Sequence, residues 1–223
     1  MQNYSVIIPA LNEEANIAGC IQNLRALNSR LQIIVVDGGS SDRTFLIAQK
    51  AGAQVIRSEP GRGIQCNRGA KKATSNIFIF LHADTQLPQD VFLVLDNFFS
   101  DPKVKIGTFR LQFDSDHWFL KVSGYCARFD SIWTRFGDQC IVARRSLFDE
   151  LDGFSEWPLF EDLDFLHRAR TKTKVYSFPS VVITSARRFK ENGPIRQQIR
   201  NGILILKYLI GISPVRLAKE YRK

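Results

Sequence analysis

The 223 residues are 44% hydrophobic and 24% charged, the balance of a folded chain long enough for one domain with a substantial core. This excludes a disordered or low-complexity class, and the apolar run from Ile203 to Ile212 is too short to cross a bilayer and contains Lys207. Residues 187–223 hold ten Lys/Arg and two Glu, so +8 of the net +9 sits in a basic tail beside a nearly neutral body.

The start, Met1-Gln2-Asn3-Tyr4, runs straight into a strand pattern without the basic and apolar blocks of a secretory signal. A reducing cytosol is therefore expected, with Cys20, Cys66, Cys126 and Cys140 as free thiols; their spacing fits no zinc motif. Tyr4 to Ala10 reads as a strand. Asn12 suits a helix N-cap with Glu13 and Glu14 in the first turn, and Ile17, Cys20, Ile21, Leu24 and Leu27 recur at helical spacing. A second strand, Gln32 to Asp37, ends in a carboxylate before the turn Gly38-Gly39-Ser40-Ser41-Asp42. A helix to about Ala51 and a short strand from Ala53 to Arg57 follow. The loop Glu59-Pro60-Gly61-Arg62-Gly63 leads to a helix from about Ile64 to Ala73, and its glycine pair alone is weak evidence for a dinucleotide site.

The run Ile77-Phe78-Ile79-Phe80-Leu81 reads as a strand buried on both faces and stops at His82-Ala83-Asp84-Thr85. In extended chain His82 and Asp84 share one face at the carboxyl end of a central strand, where open α/β sheets place ligands. They suit a divalent metal gripping a diphosphate; they equally suit a polar turn. The alternation β-α-β-α-β-α-β predicts an open, mostly parallel α/β sheet with helices on both faces.

Beyond Pro88, residues 89–99 are amphipathic, Val104 to Phe113 reads as a strand, and 117–136 is rich in aromatics: Trp118, Phe119, Tyr125, Phe129, Trp133 and Phe136. Core packing is the expected role for most of these, with a substrate pocket as the other reading. Gly137-Asp138-Gln139 precedes a short strand at 140–144 and a helix from Ser146 to Leu151. Glu161, Asp162 and Asp164 open a further helix, a placement that the helix dipole alone partly explains. One or two strands over Val175 to Thr184, a helix from about Pro194 to Gly211 and a basic helix from Pro214 complete the chain. Arg196, Arg200 and Lys207 flank apolar positions there, which suits a membrane-surface helix or packing against the domain. His117 and His167 have no neighbours suggesting a site.

Five of these motifs stand in one order. Ser5 to Glu14, then Ile34 to Asp42, then Gly61-Arg62-Gly63 with Asn67 and Gly69, then His82-Ala83-Asp84, then Glu161-Asp162 together resemble family-2 glycosyltransferases of the GT-A fold over roughly residues 4–165. The nearest branch by resemblance is the small bacterial one linked to arsenosugar biosynthesis. The resemblance implies a nucleotide-diphosphate sugar donor held by residues 1–100, an acceptor and catalytic half at 101–186, and a basic helical tail at 187–223. Pro9, Ala10 and Glu13 lie by the base on this reading, Asp37 accepts from base or ribose, and Arg62 with Gly63 reaches base or diphosphate. Asp84 matches the residue that binds Mg2+ or Mn2+. His82 replaces the first Asp of the family's Asp-x-Asp, so it contacts the nucleotide or adds a ligand favouring Mn2+, and metal dependence is open. Asp162, beside Glu161, matches the catalytic base of an inverting transfer, and Arg187 holds phosphates of donor or acceptor or pairs with a carboxylate.

Other readings are a nucleotidyltransferase, for which residues 9–16 lack a lysine-bearing glycine loop, and a nucleotide-sugar-binding module without catalysis. The basic tail suggests an anionic membrane surface and a peripheral place at its cytoplasmic face. Nucleic acid is disfavoured, since no reading motif accompanies the charge.

Overall fold

The computed structural model describes residues 2–129 and 137–221. The first half follows its hydrophobic pattern. Strands β1 (Tyr4–Ala10), β2 (Gln32–Asp37), β3 (Gln54–Arg57) and β4 (Ile77–Phe80) are parallel and alternate with helices α1 (Ile17–Leu27), α2 (Thr44–Lys50) and α3 (Arg62–Lys72). The strand period of two separates two cores. Val6, Ile8, Ile33, Val35, Ile77 and Ile79 pack with Ile17, Ile21 and Leu24 of α1. Ile7, Ile34, Val36, Phe78 and Phe80 enter the opposite core with Cys66 and Ala70 of α3. Helices cover both faces, which is why these strands are apolar without alternation. Close approach of α3 to the sheet depends on Gly69, where a Cβ would lie 2.4 Å from Ile7 Cγ2.

The second half continues the same sheet. Its elements are β5 (Thr85–Gln86), α4 (Val91–Phe99), β6 (Ile106–Phe113), α5 (Trp118–Cys126), β7 (Ile141–Arg144), α6 (Arg145–Glu150), α7 (Glu161–Lys172), β8 (Val175–Thr184), α8 (Arg187–Asn192), α9 (Pro194–Leu209) and α10 (Pro214–Tyr221). The eight strands lie in the order β3-β2-β1-β4-β7-β6-β8-β5. β7 runs antiparallel to β4 and β6, and β8 returns parallel to β6. The expected open α/β sheet with helices on both faces is thus present, with the parallel order interrupted by β7. Between Phe109 and Arg110 the register with β8 skips Pro179 and Ser180, a bulge at a residue that has no N–H for the ladder.

Several local expectations are corrected. Asn12 is not an N-cap: it has φ +56°, its Oδ1 accepts from the Ser41 N–H at 2.9 Å, and α1 begins only at Ile17. Arg62 is the first residue of α3 and not part of a loop. β5 and α8 are additional elements. Trp118, Tyr125 and Phe129 are exposed and not core, while Trp133 and Phe136 lie outside the described residues. All four cysteines are free thiols, as expected.

Candidate functional site

A cleft of about 520 Å³ opens at the carboxyl ends of β1 and β4, a volume in the range of small-molecule sites. Pro9 and Ala10 end β1 at its wall, and Glu13 follows them. The Gln65 amide fastens this edge from behind, its Nε2 donating to the carbonyls of Ala10 at 2.9 Å and Val36 at 2.7 Å. His82 and Asp84 follow β4 and line the same cleft, as does Arg62 from the first turn of α3.

A further part of the lining comes from the loop before α7. Asn67 grips this loop: its Nδ2 donates to the Phe154 carbonyl at 2.8 Å and its Oδ1 accepts the Phe154 N–H at 2.9 Å. Phe160 then takes φ +66°, an uncommon conformation for a bulky residue, and turns the chain so that Glu161 and Asp162 open α7. Asp162 lines the cleft. Its Oδ2 accepts the Gly137 N–H at 2.6 Å and its Oδ1 accepts the Leu163 N–H at 2.8 Å. The first of these bonds ties α7 to the turn carrying Asp138, whose Oδ1 is buried with no hydrogen-bond partner. Asp138 also lines the cleft and was not singled out from the sequence. The one available signal was a carboxylate just before an apolar strand, reached from a glycine.

Charge in this cleft is unevenly settled. Burial, then the Asp162 charge, pushes Glu161 up to about 7, against the Arg62 guanidinium 4.0 Å away. Burial and then Asp162 push Asp138 up to about 7 as well, again opposed by Arg62. Asp84 is raised by burial and by Glu13, with Arg187 and Arg62 pulling the other way. His82 is pushed down to about 3 by burial, Arg62 and Arg188, so it is a neutral imidazole at neutral pH. Burial works against the charge on Arg62, but Glu161 and Asp162 outweigh it. Arg187 reaches back across the cleft to Glu13, 3.4 Å from Nη2 to Oε1. Asp164 stands apart, held by Arg168 at 2.8 Å and by the Ser155 hydroxyl at 2.7 Å.

The two raised carboxyls give stability a pH dependence. A raised acid binds its proton more tightly in the folded chain, so its contribution is complete below the unfolded value and is lost as pH rises through about 7. Thermal unfolding followed from about pH 5 to about pH 8 is expected to show a falling Tm. Glu161→Gln combined with Asp138→Asn is expected to flatten that fall; an unchanged slope would remove these groups as its source.

Of the residues expected at a donor site, Pro9, Ala10, Glu13, Arg62, His82, Asp84, Asp162 and Arg187 line this cleft. Asp37, Gly63 and Glu161 do not. Asp37 is buried as the last residue of β2, each carboxylate oxygen 3.3 Å from the Ser40 nitrogen. Glu161 is buried behind Asp162. Gly63 packs α3 against the loop before α7, where a Cβ would meet the Ser155 carbonyl at 2.2 Å. Gly63→Ala is therefore expected to lower Tm, by about 1–3 kcal/mol of stability, through displacement of that loop. Denaturant melts check this, and an unchanged midpoint would show that the loop yields freely.

Among the described residues no three His, Cys, Asp or Glu side chains come close enough to hold a metal alone. The cleft wall carries the hard carboxylate oxygens of Asp84 and Glu13 instead, while the Asp138 Oδ1 is buried. Such a set fits Mg2+ or Mn2+, which bind through one or two carboxylates and complete their shell with water and substrate phosphates.

The family model described as Glycosyl transferase family 2 matches residues 5–151. Among curated relatives, 4,4'-diaponeurosporenoate glycosyltransferase of Staphylococcus haemolyticus is 37% identical over 94 residues, 39% of this chain and 25% of that protein. Glucosyl-3-phosphoglycerate synthase of Mycolicibacterium smegmatis is 33% identical over 100 residues, 40% of this chain and 33% of that protein. The matches thus span a quarter to a third of those relatives. Among solved structures, a mannosyltransferase from Pyrobaculum calidifontis in complex with GDP-Man and Mn2+ is similar in fold with TM-score 0.71 at 17% identity, covering 99% of this chain and 69% of that one. Glucosyl-3-phosphoglycerate synthase from Mycobacterium tuberculosis, in complex with Mn2+, UDP-Glc and phosphoglyceric acid, gives TM-score 0.69 at 20% identity, covering 95% and 81%. The fold is therefore GT-A, and by its match over 5–151 this chain belongs to glycosyl transferase family 2.

Proposed function

We propose that this protein transfers a sugar from a nucleoside-diphosphate sugar to an acceptor hydroxyl, inverting the anomeric centre. The observation that carries this reading is that Asp84, after β4, and Asp162, at the start of α7, line one cleft together with Arg62. The complexes of fold neighbours with GDP-Man or UDP-Glc and Mn2+ support it.

On this reading the nucleoside lies against Pro9, Ala10 and Glu13, and neutral His82 hydrogen-bonds to the nucleotide. Asp37 meets base or ribose by exchanging its long contacts to the Ser40 nitrogen. Arg62 and Arg187 face the diphosphate. Asp84 holds Mg2+ or Mn2+, and the cation when bound offsets charge developing on the departing diphosphate. Asp162 accepts the proton of the acceptor hydroxyl as its oxygen attacks the anomeric carbon. The bond from that carbon to the diphosphate oxygen breaks, and its electron pair leaves with the nucleoside diphosphate. Attack opposite the departing group in one step inverts the sugar. Glu161, paired with Arg62, positions the arginine from behind Asp162.

A thermal-shift screen of UDP-, GDP- and dTDP-sugars with and without Mn2+ tests the reading. One nucleotide sugar is expected to raise Tm more with Mn2+ than without. No response to any of them would overturn the proposal, and a response without transfer to any hydroxyl would leave a binding module.

A further inference from the structure

We propose that the outward faces of α5 and α9 dock this protein on a bilayer containing anionic lipid, with the two helices lying between the bilayer and the cleft they wall.

The observation is a repeated two-sided arrangement. On α9 and its C-cap, Ile195, Ile199, Ile203, Leu206 and Ile210 recur at spacings of three and four, and all are about half or more exposed. At about 100° per residue they fall on one stripe. The opposite side of the same helix, with Gln197, Leu204 and Ile205, is buried and lines the cleft. On α5, Trp118, Val122 and Tyr125 repeat the pattern and are each more than half exposed. Ser123, Cys126 and Ala127 of that segment line the cleft. The two helices pack on one another. Each cleft-wall helix therefore turns a second, apolar face to solvent, which a chain with no partner for it would not retain at no cost in solubility.

Charge chooses the occupant. Arg196 is exposed on one flank of the α9 stripe, and Arg216 and Lys219 are exposed on the adjoining α10, while Arg200 and Lys207 on the same flank are held by α10, the first by the Glu220 and Tyr221 carbonyls at 2.9 Å and the second by the Glu220 carboxylate. Two copies meeting through this face would bring the exposed Arg196, Arg216 and Lys219 of each toward like charge. Anionic headgroups complement it, and arginine and lysine beside an apolar stripe keep their charged ends in the headgroup layer while their stems lie on acyl chains. Trp118 and Tyr125 suit the same interface. Among the described residues no helix is long and apolar enough to cross a membrane, so the helices lie along its surface.

Flotation with phosphatidylcholine vesicles, with and without phosphatidylglycerol, tests this. The protein is expected to float with the anionic vesicles, roughly tenfold or more above the neutral ones, and to be released by high salt. Ile199→Ser with Ile203→Ser and Leu206→Ser, all exposed, is expected to cut flotation roughly tenfold or more without lowering Tm. Absence of flotation in the parent protein overturns the proposal, as does a triple variant that floats like the parent. A concentration-dependent dimer seen by light scattering, lost in the triple variant and unaccompanied by flotation, would assign the face to a second copy and equally overturn it. The nucleotide-sugar thermal shift, read on the same samples, separates failure of docking from failure of the transferase reading.

Discussion

Asp162→Asn is expected to lower sugar transfer roughly 10²–10⁴-fold while leaving donor affinity within a few-fold of the parent. The rate loss follows from chemistry, since an amide cannot take a proton from the attacking hydroxyl. The retained affinity follows from position, since Asp162 enters the cleft from the start of α7 and not from the ends of β1 and β4 that bring Pro9, Ala10 and Asp84 to it. Both of its oxygens already accept backbone N–H bonds, from Gly137 at 2.6 Å and Leu163 at 2.8 Å. A carboxylate has about four lone-pair sites, so one more donor, the acceptor hydroxyl, can still be received. Asparagine must turn its NH2 toward one of these N–H groups and loses that bond, a local cost of about 1–3 kcal/mol. Tm and donor calorimetry on the variant therefore accompany the assay. Turnover at the parental rate would remove Asp162 from its role; a collapse of donor affinity together with Tm would assign it to the architecture of the wall.

The parallel half of the sheet was legible because each of its strands carries its own boundary. Tyr4 to Ala10 is an apolar run closing around Pro9 and Gln32 to Asp37 one closing in a carboxylate, and the structure ends the strands at Ala10 and Asp37. Asp84 and Asp162 were legible as a pair only through the order of motifs, since nothing in the spacing of residues so far apart brings them into one cleft. What escaped depends on contacts between distant segments. The two residues of β5 are a strand only because Thr184 and Ile183 pair with them. Asn12 resembled a cap because its type suits one, but capping requires the helix to start at the next residue, and here the Ser40–Ser41 turn holds the side chain instead. Asp138 acquires its character first from burial and then from Asp162, against Arg62, and neither of those residues is near it in sequence. The exposed aromatics of α5 show the converse: their helical spacing was present in the sequence, but spacing alone does not say which side of a helix meets the core.

Asp84→Asn is expected to weaken donor binding roughly 10–100-fold when Mn2+ is present and to leave it unchanged or slightly tighter when metal is absent. The opposite signs come from one charge. Burial and then the Glu13 charge raise the cost of ionising Asp84 in this cleft, and a diphosphate brought beside it adds further negative charge. A divalent cation reverses that balance, because the carboxylate then attracts the ion that the phosphates also bind. Removing the Asp84 charge while keeping its shape therefore costs affinity only through the cation, and without the cation it removes a repulsion. Calorimetry with the nucleotide sugar that responds in the thermal-shift screen, with and without Mn2+, reads both signs on one variant. Equal affinity of parent and variant with Mn2+ present would move the cation away from Asp84 and remove that carboxylate from donor binding.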